Sequence, residues 1–204
     1  MENKVKIIGT VLTTPKYELN GCEVSQGYFW IACKRKSNIV DNLAILCEEK
    51  NDNELITPSV GDKIKIDGSI NCIFEKAQDK SRLLIFIKPN SITKVGNDEV
   101  DCNEIEICGV INRRITHRFT PKGKEITDFS ISTTYEQHFS TIPCIAWNYP
   151  AQIIATTNPG TVIKILGRLQ SREYIKKIDN NVMTKQALEL SVIKFRLLPE
   201  GEKS

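Results

Sequence analysis

Three segments of this chain occur twice, in one order and about 100 residues apart. Asn3-Lys-Val-Lys-Ile-Ile-Gly9 returns as Asn103-Glu-Ile-Glu-Ile-Cys-Gly109, and Gly61-Asp-Lys-Ile-Lys-Ile-Asp-Gly68 as Gly160-Thr-Val-Ile-Lys-Ile-Leu-Gly167. Ser91-Ile-Thr-Lys-Val95 returns as Ser191-Val-Ile-Lys-Phe195, so the three offsets are 100, 99 and 100. A solenoid unit runs roughly 20–50 residues, so a period this long reads as a duplicated domain. The polar stretch Gly96-Asn-Asp-Glu-Val-Asp101 is the natural joint. The expected organisation is a first domain over 1–96, a linker over 97–102, a second domain over 103–198 and a short tail over 199–204.

Each copy is rich in strand signals. Residues 4–12 and 104–111 alternate polar and apolar, the period of a half-buried strand. Second strands are expected at 24–34 and 125–135, third strands at 42–47 and 139–147, fourth at 62–74 and 161–175, and fifth at 82–95 and 185–198. Stretches without β-branched alternation, 48–56 and 149–156, leave room for a short helix after the third strand. Five strands with a helix between the third and fourth is the plan of an OB-fold barrel. The expected class is therefore all-β, two tandem five-stranded OB-fold barrels; a pair of small β-sandwiches fits the same spacing.

The 204 residues contain no apolar run near 18 residues, and the N-terminus lacks a signal-peptide core. Seven cysteines, an odd number with no close pairs, read as reduced and partly buried, and the expected compartment is the cytoplasm, with the nucleoid. His117 and His138 stand 21 residues apart outside any metal-spaced cluster, and neither a phosphate-cradling loop nor a nucleophile elbow occurs. No catalytic residue, metal or cofactor is expected, so an enzyme is a poor reading. Charge is uneven: residues 1–100 hold 14 Lys and Arg against 14 Asp and Glu, and residues 101–204 hold 14 against 11, giving the +3 of the whole. A modest basic bias suits an anionic polymer.

Strand parity sorts the side chains. On the fourth strand of the second copy, Ile163, Ile165 and Leu169 face one way with Gly167 between them. Lys164, Arg168, Gln170, Arg172 and Tyr174 face the other, as phosphate-binding cations with a ring able to stack a base, or as an ordinary solvated face. On the third strand Ile142, Cys144 and Ala146 fit an interior, with Phe139, Thr141, Pro143, Ile145 and Trp147 opposite. Trp147 is a stacking platform or a core tryptophan. In the first copy the offset makes Phe29 the core residue. Tyr28 and Trp30 then point outward, to stack bases or to bury against a partner domain; the neutrality of that half favours the interface. Lys34-Arg-Lys36 is a solvated turn or a phosphate contact.

Arg118-Phe-Thr-Pro-Lys-Gly123, Phe129-Ser-Ile-Ser, Ile142-Pro-Cys-Ile-Ala-Trp147 and Gly167-Arg-Leu-Gln-Ser-Arg-Glu-Tyr174 resemble, in order and spacing, the bacterial single-stranded DNA-binding protein family. The resemblance covers nearly all of residues 103–198. It implies an OB-fold that binds single-stranded DNA without strong sequence preference, in replication, recombination or repair. By position, Trp147 and Tyr174 match base-stacking aromatics of the family, and Arg168 and Arg172 its basic strand positions. Thr141 falls where the family often has another tryptophan, with Phe139 as the neighbouring substitute. Gln170, Lys164, Arg118 and Lys122 complete the expected contacts, with Tyr28 and Trp30 from the first copy. The family commonly gathers four OB-folds, which two chains of this kind would supply as a homodimer. Its acidic tail tip, a recruiter of repair proteins, is missing from Leu198-Pro-Glu-Gly-Glu-Lys-Ser204. The rival function is an OB-fold protein-interaction module, a replication-restart or recombination accessory factor; single-stranded RNA is a further possible ligand.

Overall fold

The computed structural model describes residues 2–18, 26–48, 58–77, 80–178 and 181–199. The first half forms β1 (Asn3–Val11), β2 (Lys16–Glu18), β3 (Gln26–Lys34), β4 (Val40–Glu48), β5 (Lys63–Ala77) and β6 (Lys80–Lys94). The second half forms β7 (Cys102–Ile111), β8 (Thr116–Phe119), β9 (Glu125–Tyr135) and β10 (His138–Trp147), then α1 (Tyr149–Ala155), β11 (Val162–Ile178) and β12 (Asn181–Leu198). The fold is all-β around closed five-stranded pairing with further strands, as an OB-fold requires. The stretch expected to hold a helix in the first half, 48–56, lies almost wholly outside the described residues.

Pairing follows the repeat. The strands form one sheet in the order β2-β3-β4-β6-β5-β1-β7-β11-β12-β10-β9-β8, with β3 also pairing β1 and β7 also pairing β9. Those extra pairings close the circuits β1-β3-β4-β6-β5 and β7-β9-β10-β12-β11. Each circuit contains one parallel contact, Ile45 with Ile87 in the first and Cys144 with Leu190 in the second. The two circuits join where β1 and β7 run antiparallel from Asn3 opposite Ile107 to Ile8 opposite Cys102.

Closing so short a circuit forces backbones together, and glycine marks where. A Cβ on Gly167 would stand 2.5 Å from the carbonyl oxygen of Ser191, and one on Gly68 2.2 Å from that of Lys88. The β11–β12 register shifts at Leu166/Gly167 and the β5–β6 register at Asp67/Gly68. Such bulges bend the long strands so that they serve two neighbours.

Isoleucine fills the core in both halves. Ile7, Ile31, Ile45, Ile64, Ile66, Ile70 and Phe29 are fully buried in the first half, as are Ile107, Ile131, Ile142, Ile163, Ile165 and Leu169 in the second. Burying each such side chain contributes about 1.5–3 kcal/mol over leaving it exposed. β-branched residues suit this role, because their restricted χ1 costs little on a pleated strand. Cys33, Cys72 and Cys144 are buried free thiols within the same core. No helix among the described residues is long and apolar enough to cross a membrane.

Two asparagines fasten the ends of the long strands. Asn3 Nδ2 donates to the Ile70 carbonyl at 2.8 Å while its Oδ1 accepts from the Ile70 amide at 3.0 Å. Asn103 repeats the pattern on Leu169, at 2.7 and 3.0 Å. Both backbone groups of Ile70 and of Leu169 are satisfied where the sheet leaves them without a strand partner on that side.

Candidate nucleic-acid interface

β10 runs antiparallel to β9 and ends at Trp147, half-buried opposite Ile126. β8 lies on the far side of β9 and brings in Arg118, whose Nε donates to Asp128 Oδ2 at 2.6 Å. The connection from β8 to β9 is a tight turn, with Gly123 N donating to Thr120 O and Thr120 N to Lys124 O, both at 2.8 Å. Gly123 sits at φ 72°, a left-handed conformation that favours glycine. The turn leaves Lys122 exposed at its tip.

β11 supplies the opposite wall. Arg172 is exposed. Gln170 is only 7% exposed and donates through Nε2 to Glu189 Oε1 on β12 at 2.7 Å. Glu189 is itself 8% exposed, so an acid and an amide form the floor while guanidinium groups stand at the rim.

The first half reaches this wall through the β3–β4 hairpin. Asp41 is fully buried. Its carboxylate accepts Nη2 and Nε of Arg35 at 2.5 and 2.6 Å and, from the other half of the chain, the Ser171 amide at 2.9 Å. Asn42 N donates to Ser171 Oγ at 3.3 Å. The paired carboxylate and burial act in opposite senses on Arg35, and the Asp41 bonds prevail, raising the guanidinium above its ordinary value. Trp147, Arg118, Arg172, Gln170, Glu189 and Arg35 thus line one open groove of about 680 Å³.

The other expected contacts lie elsewhere. Lys164 is held by Glu106 at 2.6 Å and Glu2 at 2.7 Å, and both carboxylates raise its pKa. Arg168 lines a separate hollow beside Asp101, Lys34 and Lys36, and its Nε has no hydrogen-bond partner among the described residues. Burial and the nearby Arg35 charge lower its pKa. Phe139 is 67% exposed, but eight residues up β10 from Trp147, about 26 Å along a strand. Tyr174 is in register with Lys185 on β12, and its side chain falls outside the described part of the structure.

Tyr28 and Trp30 belong to a second apolar cluster, half-buried against Ala44, Leu46, Leu84 and Phe86. Tyr28 meets Phe86 edge to face at 5.5 Å. This cluster is on the outer side of β3, because Phe29 between them points into the core. Parity therefore ordered these strands correctly, but which outward positions are open to a ligand follows from packing between the halves. Asp41 and Glu189 escaped the sequence reading, since neither stands in a motif and the Asp41 partner Ser171 is 130 residues away.

Residues 102–198 match the model of the single-strand binding protein family. That match spans nearly all of the second half of the chain. Its solved relatives by shape include the single-stranded DNA binding protein from Thermus aquaticus, at a TM-score of 0.70 and 12% identity, over 100% of this chain and 96% of that one. A deletion variant of the same Thermus aquaticus protein matches at 0.70 and 13% identity, over 98% and 95%. Comparison by sequence with curated proteins found no match. At such identities the likeness is one of fold, and it extends over both halves. The groove walled by β8, β10 and β11 belongs to the single-strand binding half, and only Arg35 and its hairpin come from outside it.

Proposed function

We propose that this chain is a tandem OB-fold protein that binds single-stranded DNA without strong sequence preference, protecting or organising it during replication, recombination or repair. Its domains are 1–96 and 103–198, joined by 97–102 and followed by 199–204. The observation that carries the reading is the groove on the family-matching half, where half-buried Trp147 stands beside Arg118 and exposed Arg172. A flat ring stacks any base, because every base has a π face, and guanidinium groups hold phosphates without regard to sequence.

The groove orders the contacts. Trp147 and Arg172 are the principal ones, with Arg118 and Lys122 flanking, and Gln170 meets base edges from the floor. Lys164, ion-paired at the seam of the halves, adds long-range attraction rather than a direct contact. Tyr28 and Trp30 support the first domain through their cluster, and Phe139 and Arg168 extend the path beyond the groove, with Tyr174 further along β11. We read the chain as a binding protein rather than an enzyme, since its family and fold are those of non-enzymatic DNA-binding proteins. Two chains supply four OB-folds as a homodimer; light scattering at the monomer mass would defeat that assignment.

Adding oligo(dT) quenches tryptophan fluorescence on this reading, and log affinity falls against log salt by about 0.7 for each phosphate contacted. Duplex DNA of the same length binds more weakly. Absence of both quenching and binding at low salt would sink the assignment.

A further inference from the structure

We infer that the DNA groove is shared between the two halves: Arg35, on the hairpin of the first half, forms its second cationic rim, and Asp41 is the positioning residue that holds it there. The inference rests on the single-stranded DNA reading above and adds to it a contact outside the residues that match the family.

Three observations carry it. First, the groove that Trp147 and Arg118 line is lined as well by Arg35, Ile39 and Val40 of the first half. Ile39 and Val40 are 52% and 46% exposed, an apolar edge left open to solvent beside cationic groups. Second, the hairpin is pinned in place. A buried carboxylate is stabilised by engaging its oxygens, and Asp41 takes two donors from Arg35 and, from Ser171 between Gln170 and Arg172, the amide and the hydroxyl. Third, that pairing leaves the guanidinium useful. Of its five N–H groups Arg35 gives two to Asp41, and the side chain keeps 17% of its surface exposed, so donors remain at the groove.

The floor gives the bound strand its orientation. Glu189 is buried there with one oxygen on Gln170, and a phosphate driven against it would be repelled. Phosphates therefore ride the rim, on Arg35 and Arg172, while bases turn inward to the Trp147 ring and to the Gln170–Glu189 pair. A strand laid this way passes from one half to the other at the hairpin. The Arg168 hollow lies on the same path, because Arg35 lines it as well.

The test uses the full chain and (dT) oligonucleotides followed by tryptophan quenching across a salt series. Ile39 is exposed, so Ile39→Glu and Ile39→Lys leave the fold intact and place opposite charges at the shared rim. Val60 is 59% exposed, outside the groove, and Val60→Glu and Val60→Lys control for net charge. Ile39→Glu should weaken binding several-fold and Ile39→Lys tighten it, each by more than the matching Val60 change. The double variant Arg35→Gln with Asp41→Asn removes the pair without stranding a buried charge, and should lower the salt slope by about 0.7. If wild type binds but the Ile39 variants behave like the Val60 variants and the slope is unchanged, the shared groove is wrong and the DNA reading stands. If wild type does not bind, both fall. Should the double variant lose its fold, the Ile39 comparison decides alone.

Discussion

Val5 stands directly opposite Ile105 in the antiparallel pair of β1 and β7, and the two are one repeat apart. Moving each residue of the pair Lys4–Glu106 by one repeat, up 100 for Lys4 and down 100 for Glu106, yields its mate Lys6–Glu104, and Asn3–Ile107 likewise yields Ile7–Asn103. The two copies therefore meet as identical subunits meet across a two-fold axis, each patch serving both sides of the contact.

That symmetry gives a stability prediction. Asn103→Ala removes both bonds to the Leu169 backbone and leaves a buried amide and carbonyl unpaired, at about 1–3 kcal/mol for each. Asn3→Ala should cost a similar amount through Ile70. Urea unfolding followed by far-ultraviolet circular dichroism should show a lower midpoint at unchanged slope for both. A loss for one and none for the other would contradict the equivalence of the two sites.

Gly167 and Gly123 separate two reasons for glycine. At Gly167 a methyl group meets the Ser191 carbonyl at 2.5 Å, so Gly167→Ala must shift backbone and should cost about 1–3 kcal/mol. At Gly123 nothing lies within 4 Å and only the positive φ resists, so Gly123→Ala should cost about 1 kcal/mol. Thermal melts of the two variants should rank in that order.

Trp147 and Trp30 predict an unequal fluorescence response. Trp30 is packed among Tyr28, Leu46 and Phe86, whereas Trp147 opens on the groove. Trp147→Phe should abolish most of the quenching by oligo(dT) while binding persists by anisotropy, and Trp147→Ala should weaken binding by about 1–3 kcal/mol. Trp30→Phe should leave the quenching nearly whole. If quenching survives in Trp147→Phe, the stacking ring has been misassigned.

Glu2 predicts how the seam responds to acid. Hydrogen bonds from Lys164 and then Lys4 hold its carboxyl below the ordinary 4.5. A carboxylate with a depressed folded-state pKa lends stability that is complete above its unfolded value and disappears as pH falls through the folded one. As pH falls below the ordinary carboxylate range wild type should lose slightly more stability than Glu2→Gln, the difference being small because the cluster is near the surface. Parallel curves for the two proteins would refute a contribution from this cluster.

Much of the fold was legible in local sequence. Ile163, Ile165 and Leu169 face inward as alternation requires, because a strand has a period of two and offers each side chain only two directions. Phe29 and Phe129 occupy equivalent core places, as the offset implies. The interface was legible only in part. Arg172 and Arg168 share one face of one strand, yet Arg172 is exposed at the groove and Arg168 is half-buried in the neighbouring hollow. Lys164, on that same face, is enclosed by Glu2 from the chain start and by Glu106 from β7. Parity says which way a side chain points and nothing about what another strand lays over it.

The duplication, the inward faces, the glycine positions and the stronger family likeness of the second copy are all readable from the residues alone, since each rests on short runs of neighbouring residues. The meeting of the copies through β1 and β7, the bond from Ser171 to Asp41 and the place of Arg35 in the groove lining come from the folded chain. Those contacts join residues a hundred or more positions apart, and their geometry is set by how the two closed circuits pack, a property that no local pattern of residues encodes.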